Sequence, residues 1–470
     1  MSELKTDLLV LGGGPGGYAA AFLAGDMGMD VTLVDVEANP GGVCLYRGCI
    51  PSKALLHLAK LVHETEMASN WGLTFAPPQI DLDRMRTWKN EVVEKLTGGL
   101  GQLSSRRKVK YIRGRGTFKS SGQLEIATAD GPQTLNFAHA IVATGSHPTT
   151  LPFVPHESER VLDSTSALDL KDIPERLLVI GGGYIGLELG SVYAALGSKV
   201  TVVEMEDTLL PGADADLVRP LAKRMDAIMH DVWLKTRVTS VTDTGRDLKV
   251  TFEGGSTDEA FFDRALVSIG RRPNSKGLGL EATKAVVNQH GFIEVDNQLR
   301  TADPRIFAIG DVVGQPMLAH KASHEGRTAV EVIAGHKVAF EPAGIPAVVF
   351  TDPEVAWAGL TENEAKAQGI QVEVAKFPWA ASGRALTVGA TDGITKLIID
   401  PETERILGVG ICGAGAGELI AEGMLAIEMG ATAEDLKLTI HAHPTLSETV
   451  MESAEVFFGQ STHVYRPKRK

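Results

Sequence analysis

A four-part pattern occurs twice in this chain. Residues 6–11 are a short apolar run, followed by Gly12-Gly13-Gly14-Pro15-Gly16-Gly17, a small apolar stretch over 18–27, and a second apolar run, 31–34, ending at Asp35. The order returns at 177–180, Gly181-Gly182-Gly183-Tyr184-Ile185-Gly186, 187–196, and 200–203 ending at Glu204. The spacing predicts strand, tight turn, helix and strand each time. Gly12 and Gly181 permit the turn. Gly14 and Gly183 let backbone approach a pyrophosphate, which would rest on the helix N-terminus, and Gly17 and Gly186 let helix and strand pack closely. A carboxylate at Asp35 or Glu204 suits an adenosine ribose. Glu204 accepts a 2′-hydroxyl and repels a 2′-phosphate, and no Arg lies between it and Pro211, so NAD is expected there. One glycine fingerprint is a weak signal, whereas two complete units call for an α/β chain with two Rossmann-like dinucleotide-binding domains.

Between the units lies Gly41-Gly42-Val43-Cys44-Leu45-Tyr46-Arg47-Gly48-Cys49-Ile50-Pro51-Ser52-Lys53, with two of the three cysteines. A straight helix would hold their Cα atoms roughly 8.6 Å apart, beyond the about 4.4–6.8 Å of a disulfide. A bridge therefore needs a bend, which Gly48 is placed to allow. So small a loop removes little unfolded-chain entropy, so the bridge would suit a redox switch better than a staple. Two buried free thiols, or half a zinc site, are the alternatives, but no second cysteine pair stands at ligand spacing. No metal is expected. Two dinucleotides beside a cysteine pair suggest an electron path of nicotinamide, flavin and disulfide.

The 470 residues suggest two to four domains. A net charge of −13 argues against nucleic acid as the main partner. No apolar run reaches the length of a membrane span. Three cysteines make no secreted disulfide scaffold. With no signal or transit sequence ahead of the first strand, a cytoplasmic protein is expected, with a mature organellar protein as the alternative.

Helices are expected over 54–68 and 81–106, the second burying a stripe of Met85, Trp88, Val92, Val93 and Leu96. Short strands fill 109–140. Residues 141–146 read as a buried strand ending in Thr144, Gly145 and Ser146, and Pro148 and Pro152 suggest a domain exit. A strand at 265–269 closes the second unit, and Gly270 leads out of it. Residues 305–311 read as a strand ending in Gly310-Asp311, where the carboxylate can hold a chain of hydroxyls or cap the following helix. From about Pro346 the character changes. Strands at 347–350, 395–399 and 406–411 carry no glycine fingerprint, and Cys412 reads as a packing cysteine. In His441-Ala442-His443-Pro444-Thr445-Leu446-Ser447-Glu448, Pro444 fits the first position of a helix, with His443 at its mouth and Glu448 able to orient the ring. That is a general-base arrangement, with a surface hydrogen bond as the alternative. The basic tail 466–470 reads as a solvated end.

Over its whole length the chain resembles the flavoprotein disulfide reductases. The resemblance rests on residues 41–53, both glycine fingerprints, 308–312, Leu318-Ala319-His320-Lys321 and 441–448. Within that family it is similar to the branch that oxidises dihydrolipoyl groups with NAD. Pro51-Ser52-Lys53 differs from the Pro-Lys-Lys of glutathione reductases, Glu204 suits NAD, and no vicinal cysteine pair of the mercuric reductase kind stands near the C-terminus. Two departures stand out: Tyr46-Arg47 replaces the usual Asn-Val, and Asp35 stands where Glu is commoner.

The resemblance implies a FAD-binding domain over 1–148 carrying the redox pair, a NAD-binding domain over 149–270, a central part returning to the FAD domain over 271–345, and an α+β dimerisation domain over 346–470. It implies FAD held by Gly12, Gly14, Gly17, Asp35, Gly42, Lys53, Thr144, Gly145, Ser146, Asp311, Leu318, Ala319 and His320. NAD would be held by Gly181, Gly183, Gly186, Glu204 and Gly270. A Cys44–Cys49 disulfide is implied, with Cys44 meeting the substrate thiol, Cys49 facing the flavin, and a Lys53–Glu188 pair beside it. His443, oriented by Glu448 and donated by the second subunit of an obligate homodimer, would take the thiol proton. The expected reaction oxidises protein-bound dihydrolipoamide and reduces NAD+, serving lipoyl domains of acyltransferase subunits or a glycine cleavage lipoyl protein. Rival expectations are reduction of another disulfide or of a metal ion, or a mainly structural place in a multienzyme complex.

Overall fold

The computed structural model describes residues 4–255 and 257–465; the basic tail 466–470 lies outside them. The first unit runs β1 (Leu4–Leu11), α1 (Pro15–Asp26), β2 (Val31–Asp35), α2 (Gly42–Arg47), α3 (Cys49–Met67), α4 (Leu82–Arg106), β3 (Lys110–Arg113), β4 (Arg115–Ser120), β5 (Gln123–Thr128) and β6 (Gly131–Val142), and β7 (Ser146–Pro148) leads away. The second runs β8 (Val161–Leu162), β9 (Arg176–Ile180), α5 (Tyr184–Ala195), β10 (Lys199–Val203), α6 (Ala215–Ile228), β11 (Asp231–Trp233), β12 (Arg237–Asp243), β13 (Leu248–Glu253), β14 (Glu259–Phe262), β15 (Arg264–Val267) and β16 (Arg271–Pro273). Next come β17 (Ile306–Ala308) and α7 (Ala319–Ile333). The last part holds β18 (Ala347–Val349), β19 (Glu354–Gly359), α8 (Glu362–Gln368), β20 (Glu373–Pro378), α9 (Gly383–Thr387), β21 (Ile394–Ile399), β22 (Ile406–Gly413), α10 (Ala416–Glu428), α11 (Ala433–Leu438) and α12 (Glu448–Phe457).

The first sheet has the order β3-β2-β1-β6-β5-β4, with β17 also paired to β6. Its strands β3, β2, β1, β6 and β17 are mutually parallel. Leu8, Leu9 and Val10 of β1 are fully buried, as a central strand covered on both faces requires. The second sheet, β11-β10-β9-β15-β8, is parallel throughout. The last sheet, β18-β19-β22-β21-β20, is antiparallel. Two Rossmann-like units result, as the repeated pattern predicts, with the α+β part that the resemblance implies.

Three local expectations need correction. α3 starts at Cys49, five residues before the expected helix, because Pro51 is tolerated in a first turn whose N–H groups have no helical acceptor. On α4 the buried row is Lys89, Val93 and Thr97, while Leu96 is 42% exposed. Lys89 takes the core position because its apolar stem packs inward and its Nζ donates to the Leu168 carbonyl at 2.7 Å. Asp311 does not cap the next helix: it lies in a short 3-10 turn, Gly310–Val312, and Leu318 is the N-cap of α7.

A buried ion network ties the second unit to the last sheet. Lys396 of β21 is 1% exposed, with Nζ 2.6 Å from Asp214, 2.8 Å from Asp216 and 2.8 Å from Glu362. The three carboxylates pull its pKa up against burial, so it stays charged. Their ligand-like convergence is therefore filled by an ammonium.

Candidate active site

The two glycine units repeat each other in atomic detail. Gly12 has φ +109° and Gly181 φ +108°. A Cβ on Gly12 would sit 2.2 Å from the Ala143 carbonyl oxygen, and one on Gly181 2.6 Å from that of Ser268. A Cβ on Gly17 would strike the Gly12 carbonyl oxygen, and one on Gly186 that of Gly181. Gly14 and Gly183 face open space and cap α1 and α5 without any side chain, and neither helix has an acidic residue in its first turn. Each positive helix end is thus bare toward an anion. Asp35 accepts a hydrogen bond from the Gly13 N–H (2.5 Å), and Glu204 accepts one from Gly182 (2.7 Å).

A cavity of about 870 Å³ opens at the carboxyl ends of β1, β2, β6 and β17, where open α/β sheets bind ligands. Its wall takes in Gly12, Gly14, Asp35, Gly42, Thr144, Gly145, Ser146, Asp311 and Ala319, then Cys44, Cys49, Lys53 and Glu188. Gly17 packs behind it, while Leu318 and His320 stand off its lining; His320 Nε2 instead meets the Pro346 carbonyl at 2.7 Å. Gly181, Gly183, Gly186, Glu204 and Gly270 gather at the second unit and do not line this cavity.

The expected bend falls between the sulfurs. α2 ends at Arg47, Gly48 intervenes, and α3 begins at Cys49. Gly48 has φ −144°, so tight packing rather than left-handed backbone selects glycine: a Cβ would lie 2.9 Å from the Val43 carbonyl oxygen. Both cysteines are free thiols, and Cys44 S–H donates to Cys49. That hydrogen bond, helped by the charge of Lys53, pushes Cys49 down to about 7 against burial and Glu188. The same bond and burial hold Cys44 far above the usual thiol range. Lys53 Nζ meets Glu188 at 2.8 Å, and the other Glu188 oxygen accepts from the Phe350 N–H at 2.9 Å. Cys412 is fully buried, and burial raises it to about 12, as a packing cysteine requires.

His443 Nδ1 meets Glu448 at 2.9 Å, and the other Glu448 oxygen accepts from the Thr445 N–H at 2.7 Å. Burial pulls the Glu448 pKa upward, but these contacts hold it below the usual range. Pro444 does not begin a helix: the His443–Pro444 bond is cis, and α12 starts at Glu448. The His443 side chain is 72% exposed and does not line the cavity.

Sequence reasoning missed Arg271 and Asn274. Arg271 Nε donates to Ser146 Oγ at 2.7 Å, and Ser146 Oγ donates to Asp311 at 2.5 Å. Asn274 Nδ2 donates to the Thr144 carbonyl at 2.9 Å. β7 and β16 create these contacts by pairing across more than 120 residues, which no local spacing reveals. The run Gly270-Arg271-Arg272-Pro273-Asn274 was the available signal.

The cavity fits FAD on its own features: bare α1 N-terminus, Asp35 at the end of β2, and a sulfur pair on the wall. Comparison with known proteins agrees. Residues 6–326 match the family described as pyridine nucleotide-disulphide oxidoreductase, and 345–454 match its dimerisation domain. The dihydrolipoyl dehydrogenase of Vibrio cholerae is 50% identical over 470 residues, 100% of this chain and 99% of that protein. That of Haemophilus influenzae is 51% identical over 470 residues, 100% and 98%. Among solved structures, LpdA from Mycobacterium tuberculosis has a TM-score of 0.89 at 29% identity, covering 96% of this chain and 99% of that one. The HOCl-induced flavoprotein disulfide reductase RclA from Escherichia coli, as a Cu(II) complex, has 0.86 at 28%, covering 97% and 99%. Likeness of this kind, over the whole length, places the chain among the pyridine nucleotide-disulphide oxidoreductases and, within them, the dihydrolipoyl dehydrogenases.

Proposed function

We propose that Cys44, Cys49 and His443 carry the thiol chemistry of this dihydrolipoyl dehydrogenase. The enzyme oxidises dihydrolipoamide to lipoamide and reduces NAD+, using FAD. FAD, when bound, supplies the two-electron link between dithiol and nicotinamide. Gly12, Gly14, Gly42, Asp35, Thr144–Ser146, Asp311 and Ala319 would hold it, with Asp35 on the adenosine ribose. Gly181, Gly183, Gly186, Glu204 and Gly270 would hold NAD.

In the oxidised form Cys44 and Cys49 are joined. A substrate thiolate attacks Cys44 Sγ, forming a mixed disulfide and releasing Cys49 as thiolate. The second substrate thiol then attacks the substrate sulfur of that bond, closing the lipoyl ring and freeing Cys44. Of the two substrate protons, one goes to His443 and one ends on Cys44. A thiol at neutral pH is mostly protonated, so a base raises its reactive fraction. Glu448 fixes Nδ1 of His443 and stabilises the imidazolium, leaving Nε2 for the thiol. The single supporting observation is the sulfur pair itself: Cys44 and Cys49 flank the Gly48 break on the wall of the cavity, beside the Lys53–Glu188 ion pair.

His443 would come from a second copy in a C2 homodimer. Its side chain is exposed, and the segment matching a dimerisation domain also exposes Leu425, Met429, Leu438 and Ile440, the last 96% exposed. The substrate arm would be carried by lipoyl domains of acyltransferase or glycine-cleavage proteins, in the cytoplasm. No helix among the described residues is long and apolar enough to cross a membrane.

Turnover of dihydrolipoamide with NAD+ tests the reading. His443→Gln should cut kcat by about 10²–10⁴-fold with flavin content unchanged. Preferred turnover of glutathione disulfide with NADPH, or an undiminished His443→Gln, would refute it.

A further inference from the structure

Tyr46-Arg47, the pair at the end of α2, lies between the two sulfurs and departs from the family pattern. Its place in sequence suggests an effect on the disulfide, but its contacts run the other way. Tyr46 Oη accepts from the Asn39 N–H (3.2 Å) and donates to the Asn39 carbonyl (3.1 Å). Arg47 is ion-paired with Glu37, and its guanidinium lies 6.0 Å from the Tyr46 ring centre. Both residues therefore grip the segment joining β2 to α2.

That segment is held from its other side as well. Tyr111 Oη donates to the Glu37 carbonyl (3.0 Å) and Arg113 Nε to the Val36 carbonyl (3.0 Å). It is also tied to the phosphate turn, because the Gly41 N–H donates to the Gly13 carbonyl (2.7 Å). Asp35, Val36, Glu37 and Arg47 all line the large cavity. Burial raises the Asp35 carboxyl, while the Gly13 N–H and the Arg47 charge oppose that rise. The cation felt at both sulfurs is Lys53.

We propose that Tyr46 and Arg47 are positioning residues for FAD: they fasten the segment 36–41, of which Val36 and Glu37 line the cavity beside Asp35, slowing FAD release without tuning the cysteines. The proposal rests on Asp35 binding the adenosine ribose, as proposed above. A fastened segment slows escape because groups already held in their binding geometry give up less freedom when the dinucleotide is bound. Arg47–Glu37 is partly exposed, so its share is modest and sensitive to salt.

The test is FAD release from purified holoenzyme after dilution, read by flavin fluorescence, for wild type, Tyr46→Phe, Arg47→Val, Arg47→Lys, Glu37→Gln and the Glu37→Gln/Arg47→Val double variant. The thiolate titration of the reduced proteins is recorded alongside. Tyr46→Phe and Arg47→Val should each release FAD roughly two- to fivefold faster at low salt. The gap between Arg47→Val and wild type should close at high salt, Arg47→Lys should keep most of the retention, and the double variant should be no worse than Arg47→Val. The Cys49 inflection should stay in place throughout. Equal release from all proteins would overturn the proposal, as would a moved Cys49 inflection with unchanged release. If wild type binds no FAD, or Asp35→Asn releases it at the wild-type rate, the cavity assignment itself has failed, and this proposal with it.

Discussion

At Cys49 one hydrogen bond decides which sulfur is charged. Cys44 is half-buried and Cys49 opens onto the cavity, yet desolvation pushes both thiols upward and so toward the protonated form. Cys44 S–H breaks the tie by donating to Cys49, which falls to about 7, while Cys44 rises. A thiol depressed on folding stabilises the reduced protein fully above its unfolded pKa, about 8.5. That contribution is lost as pH falls through about 7. Ultraviolet thiolate absorbance of the reduced protein against pH should therefore show an inflection near 7. Cys44→Ala removes the donor and Lys53→Ala removes the cation, so each should move the inflection upward. An unmoved inflection in Cys44→Ala would show that the donor has no such role.

At the scale of elements, the break between α2 and α3 holds the sulfurs in contact. The bend at Gly48 was legible from disulfide geometry alone. Its cause was not, because the Val43 carbonyl and Cys44 Cα that crowd a Cβ there are backbone atoms placed by the fold. Neither can swing aside as a flexible side chain would. Gly48→Ala must therefore open the break, at a cost of about 1–3 kcal/mol. Thermal melting should show a lower midpoint, and dithiol reoxidation should slow as the sulfurs part. A variant that melts and reoxidises like wild type would mean the break relaxes freely.

For the whole molecule, the decisive point is that the chain keeps His443 off the cavity that Cys44 lines, with the histidine side chain exposed. If the imidazole comes from the second copy, two inactive variants should rescue each other. Cys44→Ser and His443→Gln subunits, unfolded together and refolded in equal amounts, should regain roughly a quarter of wild-type activity, because half the dimers are mixed and each has one intact site. Activity no higher than the summed parents would place the histidine in its own subunit's site.

The sequence by itself determined the two dinucleotide units, because a strand, three spaced glycines, a helix and an acid form a local pattern whose physics needs no distant partner. It also determined the sulfur pair and the His443–Glu448 couple, five residues apart and within reach of one another along the chain. Only the tertiary structure decided the rest. Arg271 reached Ser146 across 125 residues and Lys396 collected carboxylates from two sheet systems, whereas the Lys53–Glu188 pair, 135 residues apart, was expected only through the family resemblance and from no local pattern. Those pairings depend on how sheets stack and which strands pair at a distance, and no local period encodes that. The same holds for Tyr46-Arg47, whose neighbours in sequence are the sulfurs but whose partners in space are Asn39 and Glu37.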